Sequence, residues 1–170
     1  VTSPDNMAGR GMKINKSPIK LVAEEHNLNV IQPNDLSDNN FYRELKELKP
    51  DLFVVVAFKK LPEKIWKIPK YGTFNLHASL LPNYRGAAPI NWVLINGEKE
   101  TGLTTFFINN RIDCGEIIMQ VKCEINNNES FKDLYNKLMK LSPKITLETI
   151  EKIFKGNFKT KKQKFVKKKI

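Results

Sequence analysis

The spacing of apolar residues changes several times along the chain, and each change marks an element. Residues 51–58, DLFVVVAF, are continuously apolar and β-branched, the pattern of a parallel strand buried on both faces. GTFNLH at 72–77 predicts a second strand, and GLTTFFI and EIIMQVKCEI two more, close enough in sequence to pair antiparallel. Helical spacing follows the Ser17-Pro18 start at Ile19, Leu21, Val22 and His26, and follows the capping residues of DLSDNN at Phe41, Leu45 and Leu48. APINWVLING predicts a helix with Pro89 in its first turn and Gly97 at its end. The remainder up to Gly156 reads as two helices parted at Ser142-Pro143. NVIQP predicts a short strand, and NMAGRGMKINKS at 6–17 has no periodicity and predicts a surface loop. Strands alternating with helices argue an α/β, Rossmann-like three-layer sandwich with a mostly parallel sheet. In such sheets the site lies beyond the carboxyl ends of the strands.

A chain of 170 residues is one domain in size, and no apolar run is long enough to span a bilayer. Cys114 and Cys123 are too few for a disulfide framework, so a reducing cytoplasm is the expected location, with two free thiols. Net charge is +11, but eight lysines and no acid fall in residues 155–170, leaving +3 for everything before them. The basic signal is therefore mostly a tail, read either as a solvated end or as an arm contacting nucleic-acid phosphates.

Candidate chemistry gathers around one strand end. Asn75 and His77 are two apart, so they point to the same face, and His77 is where the strand stops. The amide suits hydrogen bonding to an oxyanion, and NRIDCGEI places Asp113 on a loop between two other strands. A carboxylate beside an imidazole fixes its tautomer, so Asn75, His77 and Asp113 compose a candidate acyl-transfer site. A lone histidine at a strand end also has a purely structural reading, and His26, at a helix end, is read that way. No serine or cysteine sits in a nucleophile motif, and two distant histidines build no metal site.

NLHASLLPNYRGAAPINW and ETGLTTFFINNRIDCGEI, with SPDNMAGRGMK near the start, resemble the 10-formyltetrahydrofolate-dependent formyltransferase family over residues 1 to about 156. RGAAPINW and the GRG loop favour the branch that formylates the methionyl group on initiator tRNA, for translation initiation. Members acting on glycinamide ribonucleotide or amino sugars share only Asn-x-His, SLLP and D-x-G. The resemblance implies catalytic Asn75, His77 and Asp113, and folate contacts from Ser79, Leu80, Leu81 and Pro82 and from Val56 and Phe58 in VVAFKKLP. It further implies initiator methionyl-tRNA contacts from Arg10 and Arg85, no metal and no membrane partner, and action as a monomer. The attacking amine would belong to the acceptor, which accounts for the lack of a protein nucleophile. Against the family pattern, the first strand is expected to lie ahead of Val1. Residues 1–156 are expected to be the catalytic domain and 157–170 a lysine-rich tail or linker remnant without a C-terminal tRNA-binding barrel. A small-amine acceptor and a catalytically degenerate RNA-binding remnant are the alternatives.

Overall fold

The computed structural model describes residues 1–8 and 13–164, and the chain divides into two compact units, 1–49 and 50–170. In the first unit, β1 (Asn6–Ala8) and β2 (Lys13–Asn15) pair antiparallel, with Asn6 opposite Asn15. The loop expected over residues 6–17 is thereby corrected: three-residue strands are too short for alternation to show in sequence. α1 (Pro18–Glu25) starts where the capping residues placed it, the Ser17 hydroxyl accepting from the Lys20 backbone N–H. The strand expected at NVIQP does not form. Thr2 N donates to Ile31 O at 3.0 Å without building a ladder. Instead Gln32 bonds Ser3 O and Asp5 Oδ1, while Lys20 Nζ lies 2.6 Å from Asp5 Oδ2. These hydrogen bonds hold the Asp5 carboxyl below its ordinary range. α2 (Asn39–Glu47), capped by Asp38, buries Phe41 and Leu45 and leaves Leu48 exposed just beyond its end.

The second unit is built on a four-stranded sheet in the order β3 (Phe53–Val56), β4 (Thr73–His77), β5 (Glu100–Phe107), β6 (Ile117–Glu124). Only β3 and β4 are parallel; β4–β5 and β5–β6 are antiparallel, so the mostly parallel sheet is corrected. The segment 108–116 is too short for a crossover, and the chain after β4 turns back through α4 (Pro89–Ile95) without crossing over. Nor is β3 buried on both faces: it is the end strand of the four, and Val54 and Val56 are exposed.

Alternation along β4 sends its side chains to two opposite faces. Phe74 and Leu76 point toward α5 (Phe131–Lys155), whose Leu134, Leu138 and Ile145 pack in one core with Leu76 and Leu103. Thr105 and Thr149 hydroxyls meet at 2.9 Å between β5 and α5, and both residues are fully buried. Asn75 and His77 point the other way, in register with Phe106 and Thr104.

α5 is one continuous helix rather than the expected two, with Pro143 inside it. The missing Pro143 N–H would have bonded Met139 O; the Ser142 hydroxyl takes that carbonyl instead, at 2.9 Å. At its start Ser130 and Asp133 bond each other's backbone N–H groups. Replacing Ser130 with alanine is expected to lower stability by about 1 kcal/mol, read as a shift in thermal unfolding followed by circular dichroism.

Candidate active site

A pocket of about 660 Å³ opens at the carboxyl ends of β3 and β4, a volume in the usual range for small-molecule sites. It is lined by Val55 to Leu61, by Asn75 and His77, by Gly86 to Ile90, by Ile108, Asn109 and Arg111 to Asp113, and by Tyr135, Leu138 and Met139 of α5. Three non-glycine lining residues, Ala57 (φ 47°), Ala88 (φ 52°) and Asp113 (φ 50°), hold left-handed backbone, conformations that gather at functional sites because they persist only where packing imposes them.

His77 is buried and held from two sides. Its Nε2 lies 2.8 Å from the Tyr84 carbonyl oxygen. A carbonyl only accepts, so Nε2 carries a proton and Nδ1 is the nitrogen left for exchange. Nδ1 faces Asp113 Oδ2 at 3.7 Å, and that same oxygen accepts the Gly86 backbone N–H at 2.8 Å. Asn75 lines the pocket, and its Oδ1 is buried without a hydrogen-bond partner, which costs about 1–3 kcal/mol.

Gly115 follows from close packing rather than from φ. A Cβ built there would stand 1.5 Å from the Phe107 carbonyl oxygen, so D-x-G carries glycine where the loop presses on the end of β5.

The structure brings together Asn75, His77 and Asp113, with Val56 and Phe58 on the pocket wall. Ser79, Leu80, Leu81 and Pro82 do not line the pocket. They are fastened to the sheet: Thr104 donates to Ser79 O at 2.6 Å, Leu81 N donates to Thr104 Oγ1 at 3.1 Å, and Gln120 donates to Leu81 O at 2.9 Å. Arg85 is directed away from the pocket, Nη2 donating to Gln163 Oε1 at 2.6 Å. Arg10 and Lys167 to Lys169 lie outside the described residues. Cys123 is buried, and burial pushes its thiol pKa up, so it packs rather than reacts. Lys59 and Lys60, which fall in VVAFKKLP though not singled out there, give the pocket a basic lining with Arg111, and Arg111, Tyr135 and Met139 are the residues sequence reasoning missed. Lys59 and Lys60 follow directly on a buried-strand pattern, a signal that could have placed them at the strand's outlet. Among the described residues no helix is long and apolar enough to cross a membrane, and no three His, Cys, Asp or Glu side chains cluster as metal ligands.

The chain is thus an α/β domain with an imidazole, a carboxylate and an amide converging at its strand ends, groups of the kind that assist proton and group transfer. The Formyl transferase family profile matches residues 1–150, and the chain belongs to that family. It is 51% identical over 160 residues to a methionyl-tRNA formyltransferase of Bacteroides fragilis, covering 94% of this chain and 49% of that one. The chain spans about half the length of the curated relatives it matches. Among solved structures, phosphoribosylglycinamide formyltransferase from Streptococcus pneumoniae superimposes with a TM-score of 0.73 at 16% identity, over 80% of each chain, which shows the shared fold. WlaRD, a sugar 3N-formyl transferase whose structure was determined with dTDP and 5-N-formyl-THF, has a TM-score of 0.68 at 27% identity, over 89% of this chain and 51% of that one.

Proposed function

We propose that this domain transfers a formyl group from 10-formyltetrahydrofolate to the α-amino group of methionyl-initiator tRNA, a cytoplasmic step in translation initiation. The observation that carries the reading is the convergence of His77 Nδ1, Asp113 and Asn75 in one pocket. The choice of acceptor is supported by the 51% identity to a methionyl-tRNA formyltransferase.

The residues fit a folate. The pocket has apolar walls for a ring system, and Lys59, Lys60 and Arg111 to complement carboxylates. When bound, 10-formyltetrahydrofolate supplies the formyl carbon. A carbonyl attacked by an amine gathers negative charge on oxygen and positive charge on nitrogen. The Asn75 amide, in the pocket lining, can donate to that oxygen through Nδ2, a kind of contact worth about 10²–10³ in rate. His77 can take the amine proton at Nδ1, with Asp113 opposite to stabilise the imidazolium, and can return it from Nδ1 to the donor nitrogen as that nitrogen's bond to the formyl carbon breaks. Gly86 N–H keeps the Asp113 carboxylate turned toward the ring.

The test is direct. Incubated with labelled 10-formyltetrahydrofolate and charged initiator tRNA, the protein is expected to label the methionyl amino group and to leave glycinamide ribonucleotide unlabelled. Label on the small amine alone overturns the acceptor assignment, and no transfer to either overturns the catalytic one.

A further inference from the structure

We propose that Gln163 is a positioning residue for the His77–Asp113 pair, an inference that rests on the formyl-transfer reading above. Its amide is used completely. Nε2 donates to Asp113 O at 3.0 Å and to Gly115 O at 2.7 Å, while Oε1 accepts from Arg85 Nε at 3.0 Å and Nη2 at 2.6 Å. One side chain thus joins the two segments that hold the imidazole. Residues 113–115 bring the Asp113 carboxylate to His77 Nδ1, and residues 84–86 supply the Tyr84 carbonyl for Nε2 and the Gly86 N–H for Asp113.

Gln163 is itself anchored. Lys161 N and O pair with Ile117 O and N at 2.9 Å each, and the Thr160 hydroxyl reaches the Glu116 carboxylate. The segment 160–163 therefore lies as a strap beside the start of β6, with the amide projecting between the two loops. Tyr84 (φ 56°) and Asp113 (φ 50°) both hold left-handed backbone, which non-glycine residues keep only when several contacts impose it. Gln163 supplies such contacts to Asp113 directly and to Tyr84 through the neighbouring Arg85. The bridge joins Arg85 of RGAAPINW to a residue outside every motif: Arg85 and Gln163 are 78 residues apart in sequence.

The test compares Gln163→Ala and Gln163→Glu with the parent chain in two measurements: formyl transfer to charged initiator tRNA, and hydrogen exchange of the Gly86 amide followed by NMR. The glutamate variant can still accept from Arg85 but offers no donor to the two carbonyls, so it should behave like the alanine variant. For both, kcat is expected to fall about 10- to 100-fold with KM for the folate nearly unchanged. Gly86 exchange is expected to quicken about tenfold or more as its bond to Asp113 loosens. A lowered unfolding midpoint with parental kcat would mark a strap with no role in positioning and overturn the proposal, as would unchanged protection of Gly86. If the parent transfers formyl to no acceptor, the reading of function fails by itself, and Gly86 exchange alone decides whether Gln163 positions the pair.

Discussion

Formyl transfer by the His77→Ala protein is expected to fall about 10²–10⁴-fold, the span typical of a positioned acid–base group. The loss should be in kcat, because His77 handles a proton that moves only as bonds change. The fold should survive: removing the ring takes away one buried hydrogen bond, to the Tyr84 carbonyl, a cost of about 1–3 kcal/mol, while Leu76, Leu103 and the α5 residues that bury the sheet's other face are untouched. Asp113→Asn is the companion experiment. An amide oxygen can still accept the Gly86 N–H, so the loop keeps its place while the charge opposite Nδ1 is lost. Steady-state kinetics beside thermal unfolding checks both, and near-parental kcat in a folded His77→Ala protein removes His77 from the reaction.

Gly115→Ala is expected to be as damaging by a different route. The added methyl would stand 1.5 Å from the Phe107 oxygen and 2.7 Å from its carbonyl carbon. That carbonyl belongs to the end of β5, whose Phe107 N–H bonds Glu116 O at 3.0 Å, so the strand cannot yield without breaking the ladder. The loop must move instead, by an ångström or more, and Asp113 moves with it. A displacement of that size costs about 10²-fold in rate, with about 1–3 kcal/mol or more of stability from the overpacking. Gly102→Ala is the control. Its methyl would meet the Val121 oxygen at 2.0 Å, so it should destabilise the β5–β6 pair without displacing the Asp113 loop. Activity per folded molecule separates the two, and equal losses in both variants would refute a role for the loop's exact placement.

What could be read from sequence followed the range of the interactions involved. Asn75 and His77 were legible as one functional face because strand alternation is local, and β5 and β6 were legible as antiparallel because a short connection allows little else. The sheet's handedness of pairing at β4–β5 was not, since a helix between strands ordinarily signals a crossover, and α4 lies in a chain that doubles back. Pro143 misled for a chemical reason: a neighbouring hydroxyl substitutes for the donor that proline lacks. SLLP resembles a ligand-contacting motif, yet its backbone is fastened by Thr104 and Gln120, residues no local pattern connects with it. Arg85, which the resemblance assigns to tRNA contact, is engaged by Gln163, a partner no local pattern connects with it.

The bond from His77 Nε2 to Tyr84 has a stereochemical consequence. With that nitrogen's proton committed to a carbonyl, the ring is no through-conductor: a proton received at Nδ1 must depart from Nδ1. Under the proposed reaction, the nitrogen that gives up a proton and the nitrogen that gains one must therefore approach the same edge of the imidazole in turn. Acceptor and donor are thus confined to one side of the ring, and the order in which they turn toward it becomes part of the reaction coordinate.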